Sequence, residues 1–237
     1  IGLMSKTRYE WSLVDFAIWA CGAITVPIYE TSSPEQVEWI LSDSGAMACV
    51  VENFAHAAIV EQVRRALPQL RHVWVLDEQP DSMPGDGRDK APSTVMASGL
   101  AAVISAGSAV DPEVIEARRR ATKADDIATI IYTSGTPGRP KGCMLTHRNL
   151  YADAANAIPA LNHVMRPGVT TLLFLPLAHS FARLIQNAFV IEHARLCHSA
   201  DPKNLVADLQ AIRPTFVLSV PRVFEKVYNT AKHQAHA

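Results

Sequence analysis

The chain has 237 residues, 49% of them hydrophobic, with 22 Lys and Arg set against 23 Asp and Glu. A globular chain of this length buries roughly 70% of its unfolded surface without disulfide or metal staples, and this composition excludes a disordered or collagen-like chain. A net charge of −1 removes the electrostatic case for a nucleic-acid partner, and the length allows one large domain or two small ones.

In chain order, Trp11 to Cys21 reads as an apolar helix and Ala23 to Ile28 as a strand. Only Asp15 is charged between Trp11 and Tyr29, but Gly22 and Pro27 interrupt the stretch, so a buried helix and a short strand are expected there, not a membrane span. Ser33 can cap the next helix, with Pro34 at its first position and Gln36 three residues after the cap, and Gly45 near its end. Met47 to Val51 reads as a buried strand, Ala55 to Leu67 as a helix and His72 to Leu76 as a strand. This alternation predicts an α/β fold with mostly parallel sheets flanked by helices.

Asp77 to Arg88 is rich in Asp, Gln, Pro, Ser and Gly and reads as a surface loop, with a subdomain boundary admissible near 77–92. Ala91 to Arg120 is expected to be helical in pieces, broken around Gly107 and Pro112, with Arg118, Arg119 and Arg120 on a solvated face. Then come a strand from Ile127 to Tyr132, a glycine-rich loop, a helix from Thr146 to Ile158 and a strand from Thr171 to Leu175. A helix from Phe181 to His193, a strand from Leu196 to His198, a helix from Lys203 to Ile212 and a strand from Thr215 to Val220 follow, with a last helix from Arg222 onward. Cys21, Cys49, Cys143 and Cys197 are scattered without a CxxC pair, which gives no zinc or redox motif and suits a reducing cytoplasm. The chain opens on Ile1 with no visible basic-then-apolar leader.

The most informative stretch is Thr133-Ser134-Gly135-Thr136-Pro137-Gly138-Arg139-Pro140-Lys141-Gly142. A buried β-run empties into three hydroxyls, three glycines and one lysine within ten residues. Small residues allow close approach, hydroxyls donate to oxygens and an ammonium offsets charge, which together suit a polyphosphate. It is not the P-loop of NTPases, which places Gly before the Lys and Ser or Thr after it; here Pro140 precedes Lys141 and Gly142 follows. Nor is there a Gly-x-Gly-x-x-Gly dinucleotide fingerprint.

Tyr132-Thr133-Ser134-Gly135-Thr136-x-Gly138-x-Pro140-Lys141-Gly142, followed by Leu145-Thr146-His147, resembles the phosphate-loop signature of the adenylate-forming superfamily. Arg8-Tyr9-Glu10-Trp11 with Asp15, Gly22-Ala23, Val26-Pro27-Ile28-Tyr29-Glu30-Thr31, Leu175-Pro176-Leu177-Ala178-His179 with Phe181 and Arg183, and Val220-Pro221-Arg222-Val223-Phe224-Glu225-Lys226 resemble its long-chain fatty acid–CoA ligase (acyl-CoA synthetase) branch. The resemblance runs over residues 1–237 and implies part of the large N-terminal AMP-binding domain, without the C-terminal domain.

It also implies a two-step reaction. A long-chain fatty acid carboxylate attacks the α-phosphate of ATP, with Mg2+, to give acyl-adenylate and pyrophosphate, and the thiol of CoA then displaces AMP. The first step brings two anions together, so positioning and neutralising the triphosphate is the protein's main task. By resemblance Thr133, Ser134, Thr136 and Lys141 hold the β- and γ-phosphates, while Gly135, Gly138 and Gly142 keep the loop bendable. His179 is placed beside the acyl carboxylate and the route of CoA, with Arg183 at the acyl tunnel or its mouth. Asp125 and Asp126 read as surface residues, and His147 and Arg222 as helix-start packing or surface contacts. A cytoplasmic location with peripheral membrane contact suits such an enzyme.

Where the superfamily usually has a second threonine, this chain has Pro137, which removes a hydroxyl and an N–H donor. The segments that grip adenine, magnesium and ribose, the hinge and the C-terminal adenylation lysine are not found before Ala237. The chain therefore reads as a fragment with little or no ligase activity by itself. Two other readings stay open: a fatty acyl–AMP ligase or other adenylating relative, and a non-catalytic nucleotide- or acyl-binding remnant.

Overall fold

The computed structural model describes residues 1–78, 95–133 and 139–235. It divides into two compact units, one of residues 1–6 with 10–150 and another of residues 7–9 with 151–237.

The first unit is built on a five-stranded parallel sheet of order β2-β1-β3-β4-β5. Its strands are β1 (Gly2–Met4), β2 (Val26–Ile28), β3 (Ala48–Val51), β4 (His72–Val75) and β5 (Val95–Ser98). Helices α1 (Tyr9–Ala20), α2 (Pro34–Asp43) and α3 (Phe54–Val63) fall between successive strands from β1 to β4, as parallel pairing requires. β3 is buried at every position, which explains its unbroken apolar run. Met4, Ile28, Val51 and Val75 from the sheet pack with Val37, Leu41 and Val60 from the helices in one core.

Helix α2 has defined stops at both ends. The Ser33 hydroxyl accepts from the Gln36 N–H while the Gln36 side chain accepts from the Ser33 N–H at 2.9 Å, the expected capping box. At its other end Gly45 takes a φ of +65°, and Ala46 N–H donates to Leu41 O at 3.0 Å while Gly45 N–H donates to Ser42 O. That is a Schellman close, which favours glycine at the left-handed position.

Helices α4 (Leu100–Ala106) and α5 (Pro112–Ala121) break at Gly107 and Pro112 as expected, but Val95–Ser98 is strand β5 and not helix. Pairing with β4 decides this, since the short segment carries no periodicity that separates the two states. β4 and β5 flank the stretch 77–92 and share one sheet. Most of the loop expected from Asp77 to Arg88 lies outside the described residues.

β6 (Ile127–Thr133) is tied beside β2 by Ile130 N–H to Thr25 O and Thr25 N–H to Ala128 O, both 3.1 Å. It does not lead directly into a helix. Residues Lys141–Thr146 form β7, antiparallel to β6, and only then does α6 (His147–Ala160) begin. The glycine-rich loop thus joins two strands of a hairpin. The run Lys-Gly-Cys-Met-Leu-Thr is exposed or half-buried at every position, so it shows no buried stripe; ladder bonds to β6 make it a strand.

In the second unit, β8 (Thr170–Leu173) and β9 (Arg195–His198) pair in parallel across α7 (Ser180–Ile191). α8 (Leu205–Ile212) and α9 (Pro221–Ala235) follow. The expected strand from Thr215 to Val220 does not form. Thr215 N–H reaches Thr170 O at 2.8 Å and the Thr171 hydroxyl reaches Phe216 O at 2.9 Å, but Pro214 offers no N–H and no ladder develops. The stretch Trp11–Tyr29 holds most of α1, a glycine turn at Gly22 and β2. No helix among the described residues is long and apolar enough to cross a membrane.

Candidate functional site

The hairpin β6–β7 brings together the two described members of the predicted phosphate set. Thr133 and Lys141 are cross-strand partners at the end of the ladder, and both are exposed. A hydroxyl donor and an ammonium thus stand side by side at the rim where the loop departs, without the cost of a buried charge. Ser134, Gly135, Thr136, Pro137 and Gly138 lie outside the described residues.

Gly142 has a different role from the one the sequence suggested. It is a strand residue opposite Tyr132, and a Cβ there would sit 2.7 Å from Ile130 Cγ2 and 3.2 Å from Tyr132 Cζ. Glycine is needed because the Tyr132 ring lies over the strand, not because the chain must bend. The β-branched Ile130 has little rotamer freedom with which to yield.

Both stems of the hairpin are held by α2. The Tyr132 hydroxyl donates to Asp43 Oδ2 at 2.7 Å on one strand. Next to the other, the Trp39 indole N–H donates to Pro140 O at 2.7 Å. The Arg139 guanidinium lies 4.7 Å from the centre of the Trp39 ring, a cation–π distance. Burial, reinforced by the bond to Asp43, raises the Tyr132 hydroxyl well above the usual tyrosine range, so it remains a donor. A surface cleft of about 560 Å3 opens beside Trp39 and Arg139, but Glu35 and Glu38 line it too. Those carboxylates make it a poor polyphosphate pocket.

The neighbouring acids and bases have structural partners. Asp125 is exposed and accepts from Arg148 at 2.6 and 3.0 Å, which holds its carboxyl below the usual range. Asp126 accepts from the Lys123 N–H at 2.7 Å. His147 opens α6 and packs edge-on against Trp19 at 5.4 Å; its pKa is lowered by burial, opposed by Asp126 and Asp15. Arg222 is exposed in the first turn of α9. Burial pushes the Cys49 thiol up to about 12, so it behaves as a small hydrophobe. Among the described residues no group of three His, Cys, Asp or Glu side chains is gathered as a metal requires.

In the second unit His179 is the N-cap of α7, exposed, with Nδ1 accepting from the Phe181 N–H at 3.3 Å. The neutral ring in this bond carries its proton on Nε2. Arg183 is fully buried, which gives it a place in the packing of α7 beside Gln186 and Asn187, also buried. Sequence reasoning did not assign Trp39, Asp43 or the Tyr132 hydroxyl to the site. The four-residue spacing of Trp39 and Asp43 was visible, but their contacts bridge 101 and 89 residues of chain.

The whole chain, residues 1–237, matches the AMP-binding enzyme family, and it belongs to that family. It is 45% identical over 233 residues to the long-chain-fatty-acid–CoA ligase FadD15 of Mycobacterium bovis, an alignment covering 98% of this chain and 36% of that protein. Over 229 residues it is 33% identical to the peroxisomal acyl-CoA ligase 891 of Penicillium roqueforti, covering 95% of this chain and 32% of that one. The chain spans about a third of the length of these curated relatives. Among solved structures, a long-chain-fatty-acid–CoA ligase (FadD1) from Archaeoglobus fulgidus superimposes with a TM-score of 0.74 at 24% identity, covering 98% of this chain and 42% of that one. The N-terminal domain of FACL13 from Mycobacterium tuberculosis gives 0.64 at 21% identity, covering 94% and 50%. These two structures share the α/β fold.

Two substitutions probe the local geometry. Gly142→Ala is expected to destabilise the first unit by about 1–3 kcal/mol through overpacking against Ile130 and Tyr132, read as a lower urea midpoint. His179→Ala should cost about 0.5–1 kcal/mol of cap energy, whereas His179→Asn, a better capping residue, should give a urea midpoint at or above the parent's.

Proposed function

We propose that residues 1–237 form part of the large N-terminal AMP-binding domain of a long-chain fatty acid–CoA ligase, and that the β6–β7 hairpin binds the triphosphate of ATP. One observation carries this reading: Thr133 and Lys141 are paired and exposed at the end of the hairpin from which the hydroxyl- and glycine-rich loop departs. The 45% identity to a long-chain-fatty-acid–CoA ligase supports the choice of substrate class.

In the whole protein the reaction joins a fatty acid carboxylate to the α-phosphate of ATP and expels pyrophosphate. The CoA thiol then attacks the acyl carbon and AMP leaves. Lys141 offsets charge at the far end of the triphosphate, while Thr133, Ser134 and Thr136 donate hydroxyl hydrogen bonds to its β- and γ-oxygens. Gly135 and Gly138 let the backbone come close. Each charge-assisted bond is worth roughly 1.5–3 kcal/mol, and the leaving pyrophosphate gains from the same donors as charge shifts onto it. His179 acts on the acyl and CoA side, its Nε2–H presented while Nδ1 is engaged by the helix start. Mg2+ bound to the nucleotide would offset part of the phosphate charge that Lys141 and the hydroxyls face. A cytoplasmic protein with peripheral membrane contact for its lipid substrate belongs to the same reading.

Calorimetric titration of the chain with ATP tests the site. Lys141→Ala is expected to weaken binding about ten- to a hundredfold, the loss of one charge-assisted contact, without a matching drop in urea midpoint. Pro137→Thr should tighten it by restoring a hydroxyl and an N–H. Equal affinities for the parent and Lys141→Ala would remove the phosphate assignment.

A further inference from the structure

Trp39 and Asp43 stand four residues apart on α2, and such a pair shares one helix face. That face meets the hairpin at both stems: Asp43 accepts from Tyr132, immediately before Thr133, and Trp39 donates to Pro140 O, immediately before Lys141. Arg139 lies over the same indole, so the Trp39 ring holds the strand by a hydrogen bond on its edge and a cation on its face. The helix itself is fixed in length and position. A capping box at Ser33 and Gln36 sets its start, a Schellman close at Gly45 sets its end, and Val37, Ile40 and Leu41 bury its other side in the core.

We propose that Trp39 is a positioning residue for the triphosphate site, acting through Pro140 to fix Lys141, with Asp43 holding Thr133 in the same way through Tyr132. The proposal rests on the phosphate-binding reading above. The Lys141 side chain is long and exposed, and a chain of that kind loses much rotamer freedom when it is ordered. Anchoring the carbonyl next to it leaves those rotamers free but fixes the backbone point from which the side chain reaches, and binding is stronger for a site whose backbone is ordered in advance. The indole N–H is the group that bonds the Pro140 carbonyl, and a phenyl ring removes that donor while leaving a smaller aromatic face for Arg139.

The test is a double-mutant cycle in the whole 237-residue chain, titrated with ATP and with inorganic tripolyphosphate. Trp39→Phe is expected to weaken both ligands about three- to tenfold, the range for one lost hydrogen bond. In a Lys141→Ala background the same change should have almost no effect, since Trp39 then has no ammonium to position. Circular dichroism and urea midpoints separate this coupling from a loss of structure. Should Trp39→Phe not fold, Tyr132→Phe decides from the other stem, with weaker tripolyphosphate binding expected and unchanged binding overturning the proposal. A full effect of Lys141→Ala with none of Trp39→Phe overturns the proposal and leaves the phosphate reading standing, as does an equal effect of Trp39→Phe in both backgrounds. No effect of Lys141→Ala, or no binding by the parent chain, removes both.

Discussion

The pairing of β6 with β7 is the constraint on which the candidate site depends. Antiparallel pairing fixes which residues face each other, and a shift of one residue would turn every side chain to the opposite face. In the observed register Thr133 meets Lys141 and Tyr132 meets Gly142. The second pair enforces the first: the Tyr132 ring occupies the space above Gly142, and any larger residue there would collide with Ile130. A packing requirement within the strand thus places a hydroxyl beside an ammonium at its end. The ladder explains why Gly142 is a glycine, and the rim explains why Thr133 and Lys141 remain in water.

The hairpin is in turn attached to the parallel sheet. Backbone bonds tie β6 to Thr25 next to β2, the Thr129 hydroxyl donates to Thr25 O at 2.8 Å, and the Trp19 indole donates to Ala128 O at 2.8 Å. At the other end of β6, Tyr132 joins the core cluster and its hydroxyl meets α2. The strand carrying Thr133 therefore inherits the rigidity of a core that includes Met4, Ile28, Val51 and Val75. Sites carried on rigid elements hold their geometry better than sites carried on loops alone.

The second unit makes a different use of its buried helix. α7 buries Arg183, Gln186 and Asn187 together with Ala182, Ile185 and Phe189, so polar groups share the interior with the apolar ones that define it. A buried guanidinium is tolerated only when it is paired and hydrogen-bonded, which makes Arg183 a position of α7 sensitive to substitution. His179 is set at the solvent end of that helix as its cap. One side chain thus combines a modest structural duty with an open imidazole nitrogen.

The sequence by itself determined the α/β alternation from Trp11 to Leu76, the start of α2 at Ser33 and its end at Gly45, and the family to which the chain belongs. These are local signals, carried by hydrophobic period, capping chemistry and a dense motif, and they survive without knowledge of neighbours. Only tertiary structure decided that Val95–Ser98 and Lys141–Thr146 are strands and that Thr215–Val220 is not. A short strand owes its existence to the partner whose backbone it bonds, and a segment next to Pro214 with little to bond stays irregular. The parts played by Trp39, Asp43 and Gly142 belong to the same class. Each depends on an atom donated or a space filled by a residue distant in the chain, and no pattern within a window of sequence encodes that distance.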